Sequence, residues 1–337
     1  MATKRVLVIG AGGFTGGFIV EEGLRRGYEV WAGVREGTSR RYLADPRLKF
    51  AVLDYEDADS LKESLRKALE DSGDRWDYIV YNLGATKCLN FSDFNRINHD
   101  YLQWFTDALK DLNAVPDKLL FISSLSVMGP GDERSYTPFT ERMAASPNTR
   151  YGTSKLKAEL SLQASGIPYI IFRATGIYGP REKDYFLMFK SIKSGVDFSV
   201  GLRKQELTFI YVKDLADAIY DALEKSVTGR IYLISEPRSY TQKEFRKIAA
   251  DRLGKRLVVP IKAPLWVLKA VCSVSGRIGR IKGRPMTLNP DKYRIMKQRN
   301  WRVDTTGAKE GFGFEACTDL KKGVDESIQW YKDNKWL

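Results

Sequence analysis

Two side chains four positions apart, the phenol of Tyr151 and the ammonium of Lys155 in the run Tyr151-Gly152-Thr153-Ser154-Lys155, offer proton-transfer chemistry. On a helix, positions i and i+4 share a face, so this spacing sets the two groups side by side. The cation is expected to draw the phenol below its usual value of about 10. Tyr151 could then exchange a proton with an alcohol or carbonyl near neutral pH. The lysine is also suited to holding a nicotinamide ribose. Upstream, Phe121-Ile122-Ser123-Ser124 closes an apolar run. A hydroxyl there, Ser124, would hydrogen-bond a substrate oxygen and steady developing charge.

A second group of residues binds rather than reacts. Gly10-Ala11-Gly12-Gly13-Phe14-Thr15-Gly16 lies between an aliphatic run and a helix-like stretch. A pyrophosphate must approach backbone N–H groups at a helix N-terminus, and a Cβ would block it. Gly10, Gly13, Phe14, Thr15 and Gly16 are therefore the expected cradle of a dinucleotide. The next apolar run ends in Val34-Arg35, with Arg40 and Arg41 following. An acidic residue at that point would bond a ribose 2′-hydroxyl, whereas a guanidinium suits a 2′-phosphate. NADP is the expected cofactor, with NAD the alternative. Asp54, after the third run, is positioned to accept from the adenine amino group or, alternatively, to cap the helix beginning near Asp57. Asn82-Leu83-Gly84-Ala85 follows the fourth run, and its small residues would let the backbone pass beside the cofactor.

The elements that must hold these groups alternate. Strands are expected at Arg5–Ile9, Tyr28–Val34, Leu48–Leu53, Trp76–Tyr81, Leu119–Ser123 and Tyr169–Arg173. Helices are expected between them at Thr15–Gly27, Asp57–Asp71, Asn95–Leu112 and Tyr151–Ala164. Continuous aliphatic runs between helices predict an α/β fold, a Rossmann-type doubly wound parallel sheet covered on both faces. After Arg173 the rhythm breaks into Asp184–Ser194 (helix), Leu207–Val212 (extended), Lys213–Lys225 (helix) and Arg230–Ile234 (strand). The expected division is a dinucleotide-binding domain of residues 1–173 plus about 207–235. A smaller, mostly helical substrate domain is expected from about 174–206 and 236–337.

Composition limits the partners. The chain has 337 residues, 43% of them apolar, enough for a full core. Its formal charge of +13 is uneven: Arg238 to Lys309 holds 19 Lys/Arg against 4 Asp/Glu. That concentration favours an anionic small-molecule substrate or a solvated basic surface. No helix-turn-helix, zinc-finger or RNA-binding signature supports a nucleic-acid partner. Cys88, Cys272 and Cys317 are far apart and His99 is the sole histidine, so no metal-ligand spacing arises and His99 receives no catalytic role. Sparse, odd cysteines fit a reducing compartment, the cytoplasm. No apolar run approaches the roughly 18 residues of a membrane span, so integral membrane association is not expected. Lys4-Arg5 before Val6–Ile9 could mimic a signal peptide, but a buried first strand is the better reading. The segment Ala263–Gly276, apolar nearly all round, is expected as a buried helix or active-site lid, with a membrane-surface helix as the alternative.

Together these motifs resemble the short-chain dehydrogenase/reductase superfamily, and its extended branch in particular, over essentially the whole chain. The glycine spacing, the Asn82–Ala85 loop, Ser123–Gly129 and the Tyr151/Lys155 pair carry the resemblance, with Arg173–Pro180 and Phe209–Asp214 looking like further extended-branch motifs. The resemblance implies that Ser124 orients substrate, that Tyr151 is the acid/base, and that Lys155 supports both the ribose and the tyrosine. It implies that backbone near Ala174 and Ile177 meets the carboxamide, and that Lys87, Cys88, Tyr178, Arg181 and Tyr211 line the substrate pocket. Met128 departs from the aromatic residue frequent there. A homodimer, pairing Asn95–Leu112 and Tyr151–Ala164 across a two-fold axis, is implied as well. Sugar-nucleotide 4,6-dehydratases carry an Asp-Glu pair after the orienting hydroxyl, but here Leu125 and Ser126 follow Ser124. Two enzyme readings remain: an alcohol/ketone oxidoreductase similar to the dihydroflavonol-reductase and 3β-hydroxysteroid-dehydrogenase groups, or a nucleotide-sugar 4-epimerase that retains its cofactor. A non-catalytic NADP-sensing regulator is a third, disfavoured because such relatives lose the Tyr/Lys pair.

Overall fold

The computed structural model describes residues 3–73, 75–284 and 286–337. Six strands, β1 (Arg5–Ile9), β2 (Glu29–Val34), β3 (Lys49–Val52), β4 (Tyr78–Tyr81), β5 (Lys118–Ser124) and β6 (Tyr169–Ala174), join an edge strand, Arg230–Ile234, in one seven-stranded sheet. Its order is edge strand, β6, β5, β4, β1, β2, β3, and every pairing is parallel. This is the doubly wound arrangement expected from the sequence. Parallel strands need covered faces, and the strand alternation supplies two. Val6 and Val8 face one apolar layer and Leu7 and Ile9 the other. The first layer includes α1 (Phe14–Arg25) and the helix Val212–Lys225. The second includes α2 (Ala58–Ser72), the helix Tyr101–Asp111 and α5 (Arg150–Ala164). The strand order reverses between β1 and β4, so their carboxyl ends open a crevice, the usual ligand site of such sheets.

The expected long helix Asn95–Leu112 is interrupted. A short α-helix, Phe91–Asn95, runs into a π turn, Arg96–Asp100, before Tyr101–Asp111 begins. Single π turns inside helices commonly re-aim one side chain. Here the residue is Asn98, which is fully buried.

After β6 the chain forms short pairs outside the main sheet. Gly176–Tyr178 lies parallel to Phe209–Tyr211, and Val196–Val200 parallel to Val259–Ala263. The last two were not legible as strands, because Val259–Ala263 is exposed and contains a proline. A separate aromatic core gathers Tyr178, Phe189, Tyr211, Phe245 and Tyr331. Thr306–Phe312 returns to the main sheet, with Phe312 stacked on Phe172 of β6 at 5.6 Å between ring centroids. The segment Ala263–Gly276 corrects the expectation of a buried helix or lid. It lies mostly within an exposed helix, Leu265–Ile281, which buries only Leu268, Cys272 and Gly279. One stripe of apolar residues suffices to pack it, so the others face solvent. Among the described residues no helix is long and apolar enough to cross a membrane.

Candidate active site

The glycine loop is built to admit a ligand backbone-first. Gly10 has φ +78°, and a Cβ on it would stand 3.0 Å from the Leu83 nitrogen. The first-strand loop and the Asn82–Ala85 loop thus touch through glycine. A Cβ on Gly16 would come within 2.2 Å of the Gly10 carbonyl oxygen, so only glycine closes this turn. Gly13 is the N-cap of α1 with no side-chain cap, and the first turn holds no acidic residue. The leading N–H groups of Phe14, Thr15 and Gly16 therefore lack helical acceptors, and the positive helix end is uncompensated. That donor set fits the pyrophosphate of a nicotinamide dinucleotide.

Along the crevice, Arg35 is exposed at the end of β2, in a turn where its N–H donates to Thr38 Oγ1 at 3.1 Å. Arg40 is committed elsewhere, its guanidinium 4.1 Å above the Phe50 ring. Asp54 stays exposed beyond β3, accepting from the Glu56 N–H at 2.9 Å. The helix cap belongs to Asp57, which accepts from Ser60 N, so the capping alternative for Asp54 falls away. Asn82, Leu83 and Ala85 are partly exposed, Gly84 fully. Ala174 is buried at the end of β6 and Ile177 half-buried just beyond it.

Ser124, Tyr151 and Lys155 converge at the carboxyl end of β5. Strand alternation sends Ser123 and Ser124 to opposite sides. Ser123 is buried and donates to the Glu159 carboxylate. Ser124 caps a short 3₁₀ turn, its Oγ accepting from the Ser126 N–H at 3.1 Å. That acceptance turns the one hydroxyl proton into the site, towards the Tyr151 phenol oxygen. Hydrogen bonding from Ser124 pulls the Tyr151 phenol down, but burial outweighs it and holds the phenol above its ordinary value. Lys155 does not contribute the expected lowering. The ammonium instead donates to the Ile122 carbonyl at 2.6 Å and sits 4.0 Å over the Phe121 ring. Burial pushes Lys155 down to about 7, against a smaller opposing pull from Glu159. The lysine is thus held under the site by the strand, not clasped to the tyrosine.

Several residues that complete the site carried no sequence signal. Asn98 Oδ1 accepts from Ala85 N at 2.7 Å, and its Nδ2 donates to Ala85 O at 3.1 Å and Ser154 Oγ at 2.9 Å. It ties the Asn82–Ala85 loop to α5 between Tyr151 and Lys155. Glu159, one turn beyond Lys155, forms a buried ion pair with Arg173 at 2.7 Å. Asp291 accepts from the Tyr151 N–H at 3.2 Å, bringing the helix Pro290–Lys297 onto the start of α5. Lys87 pairs with Asp184 at 2.7 Å, and Lys292 approaches the same carboxylate at 3.7 Å.

Of the other expected pocket residues, Cys88 is half-buried, its thiol pushed up to about 11 by burial. Tyr178 and Tyr211 are buried in the aromatic core. Arg181 lies over Phe18 and Tyr42, at 4.4 and 4.3 Å from their ring centroids, and pairs with Glu21 on α1. His99 contacts only its neighbour Asp100 among the hydrogen bonds described. Among the described residues no group of three His, Cys, Asp or Glu is disposed to hold a metal.

The whole chain has relatives. The sterol-4-alpha-carboxylate 3-dehydrogenase, decarboxylating, of Dictyostelium discoideum is 22% identical, with 96% of this chain and 99% of the relative covered. An uncharacterized UDP-glucose epimerase of Bacillus subtilis is 25% identical, with 97% of each covered. A crystal structure of dTDP-glucose 4,6-dehydratase from Bacillus anthracis, in complex with NAD, has the same fold with a TM-score of 0.77, 19% identity, and 99% of this chain and 98% of that one covered. Residues 6–235 match the NAD dependent epimerase/dehydratase family, and the chain belongs to that family as an enzyme of the extended short-chain dehydrogenase/reductase type.

Proposed function

We propose that this enzyme interconverts a secondary alcohol and a ketone, with Tyr151 as the acid/base, and that it prefers NADP. The observation that carries the reading is the polarity of Ser124, whose Oγ accepts from Ser126 N–H and so turns its proton to the Tyr151 phenol, where a substrate oxygen would share it. A bound nicotinamide ring supplies the hydride donor or acceptor. Gly10, Gly13, Phe14, Thr15 and Gly16 would hold the pyrophosphate, and Asn82, Leu83, Gly84 and Ala85 would flank the dinucleotide. Ala174 and Ile177 would meet the carboxamide, and Asp54 the adenine. Lys155 would turn from the Ile122 carbonyl to the ribose hydroxyls, and its charge near the phenol would then lower the pKa that burial raises. Substrate would lie between this floor and residues of about 174–206 and 236–337.

Arg35 supports NADP, because a guanidinium matches a 2′-phosphate and stands where an acid would read a bare hydroxyl. Activity ratios with NADP and NAD for Arg35→Asp test this: the preference should reverse, and an unmoved ratio rejects it. Leu125, buried behind Ser124, stands where a dehydratase needs a carboxylate. The second reading is nucleotide-sugar epimerisation, favoured by the convergence of Lys87 and Lys292 on Asp184, two cations suited to a diphosphate. Cofactor stoichiometry separates the two. An oxidoreductase consumes added NADP(H) mole for mole with substrate, whereas an epimerase turns over with its retained cofactor alone. The homodimer through the helices Tyr101–Asp111 and α5 belongs to the same proposal and is checked by sedimentation.

A further inference from the structure

The helix Leu265–Ile281 has two apolar faces, and only one is used for packing. Leu268, Cys272 and Gly279 turn inward, and Gly276 approaches Pro290 so closely that a Cβ would stand 3.0 Å from its ring. Val267, Val271, Val274, Ile278 and Ile281 recur at alternating spacings of four and three, which aligns them along a second side of the helix. That side is open to solvent: Val271 is 44% exposed, Val274 55% and Ile281 85%, and Trp266, on the adjoining basic side, is 73% exposed. The preceding strand extends the apolar surface, since Ile261 pairs in register with Phe198 and both are exposed.

The charge around this face is of one sign. From Arg252 to Pro290 the sequence has no Asp or Glu, and it carries 9 Lys/Arg. Lys269, Arg277 and Arg280 flank the exposed stripe, and Lys282 and Arg284 follow its end, all of them exposed. A second copy fits this poorly. A two-fold interface apposes the same patch on both partners, and these cations would meet cations with no carboxylate between. A surface offering both apolar depth and diffuse negative charge fits it well. Apolar side chains with a tryptophan on one side, bordered by Lys and Arg, are the makings of a helix lying in a bilayer interface.

We propose that Leu265–Ile281 is a membrane-docking helix that seats this enzyme on an anionic lipid bilayer, lying in its surface and not spanning it. The site of attachment is close to the chemistry. The docking helix packs on Pro290–Lys297, whose Asp291 accepts from the Tyr151 N–H. The proposal stands whether the reaction is alcohol oxidation or epimerisation.

The test is co-sedimentation of the full chain with vesicles of phosphatidylcholine alone and of phosphatidylcholine with phosphatidylserine. Binding is expected on the phosphatidylserine vesicles, weak on phosphatidylcholine alone, and falling as salt is raised. R277E/R280E/K282E should weaken it on the order of a hundredfold. W266S/V274S/I281S should abolish stable attachment. All six side chains are exposed, so unchanged melting temperatures are expected and keep a lost fold from imitating lost binding. Protein that stays in the supernatant with phosphatidylserine vesicles at low salt overturns the proposal, as does undiminished binding by either variant. Equal binding to phosphatidylcholine alone overturns the anionic assignment. A dimer in solution that W266S/V274S/I281S dissolves, without vesicle binding, gives the face to a second copy.

Discussion

The floor and the roof of the crevice are held by different physics. The floor, from the glycine loop to α5, is fastened by buried groups: Lys155 on the Ile122 carbonyl, Asn98 across Ala85 and Ser154, and Glu159 between Ser123 and Arg173. The roof, from the helix Lys183–Lys193 to Pro290–Lys297, is joined to it by the half-exposed pair Lys87–Asp184 and by backbone contacts such as Tyr151 N–H to Asp291 and Arg294 to the Asn148 carbonyl. Buried polar groups are costly to leave unpaired, so they fix one geometry, whereas solvated ion pairs contribute little and adjust readily. The comparison teaches that the surroundings of Ser124, Tyr151 and Lys155 are built rigidly while the elements facing them are left free to change. That division matches a family whose members share a fold and differ in substrate.

The sharpest way to break this comparison is at the reacting atom. Tyr151→Phe is expected to lower turnover by about 10²–10⁴-fold with cofactor affinity nearly unchanged. Parallel kcat and cofactor Kd measurements check it, and lost binding with retained turnover per complex would reject the role. Next comes the buried pair under the floor. Arg173→Met strands the Glu159 carboxylate and should destabilise the protein by about 3–5 kcal/mol, read from denaturant midpoints. Asn98→Ala leaves the Ala85 N–H and carbonyl without that partner and should cost about 1–3 kcal/mol. It should also raise the cofactor Kd, because the Asn82–Ala85 loop loses its tie to α5. At the roof, Lys87→Ala should change stability by less than about 1 kcal/mol, since its pair with Asp184 is half-exposed. A large melting shift in that variant would show that the roof is not loosely held.

The floor also has a pH signature. Lys155 is pushed down to about 7 from an ordinary value of 10.5. Between those values the unfolded chain binds the proton and the folded one does not, so this group makes stability rise with pH from about 7 towards 10.5. Below that window both states carry the charge and the full cost of burying it remains. The difference in melting temperature between wild type and Lys155→Met should therefore shrink as pH is raised through the window. A difference that stays constant would show that Lys155 is not desolvated in the free enzyme.

Much of the floor was legible because its signals are local. Aliphatic runs between helical stretches specify a parallel sheet, and glycines between strand and helix specify a phosphate loop. Tyr151 and Lys155 do fall on one helix, but the spacing could not say what the ammonium touches. The Ile122 carbonyl that accepts its hydrogen bond lies on β5, 33 residues away. Asn98 was missed because a lone asparagine in a helical stretch has no period, and only a π turn aims it inward. The Arg173–Glu159 pair joins β6 to α5 and has no sequence pattern of its own. The docking helix was misjudged for a related reason: apolar density tells that a helix has faces to bury, not how many find a neighbour.

By itself the sequence determined the α/β class and the order of its elements, and it singled out the glycine loop with Ser124, Tyr151 and Lys155 as candidates, because periodicity and backbone sterics act over a few residues. Tertiary structure alone decided which carbonyl the lysine meets, which buried groups lock the loop to α5, and which apolar face is left to solvent. Those outcomes depend on burial and on partners brought together from distant positions, and no local pattern encodes either.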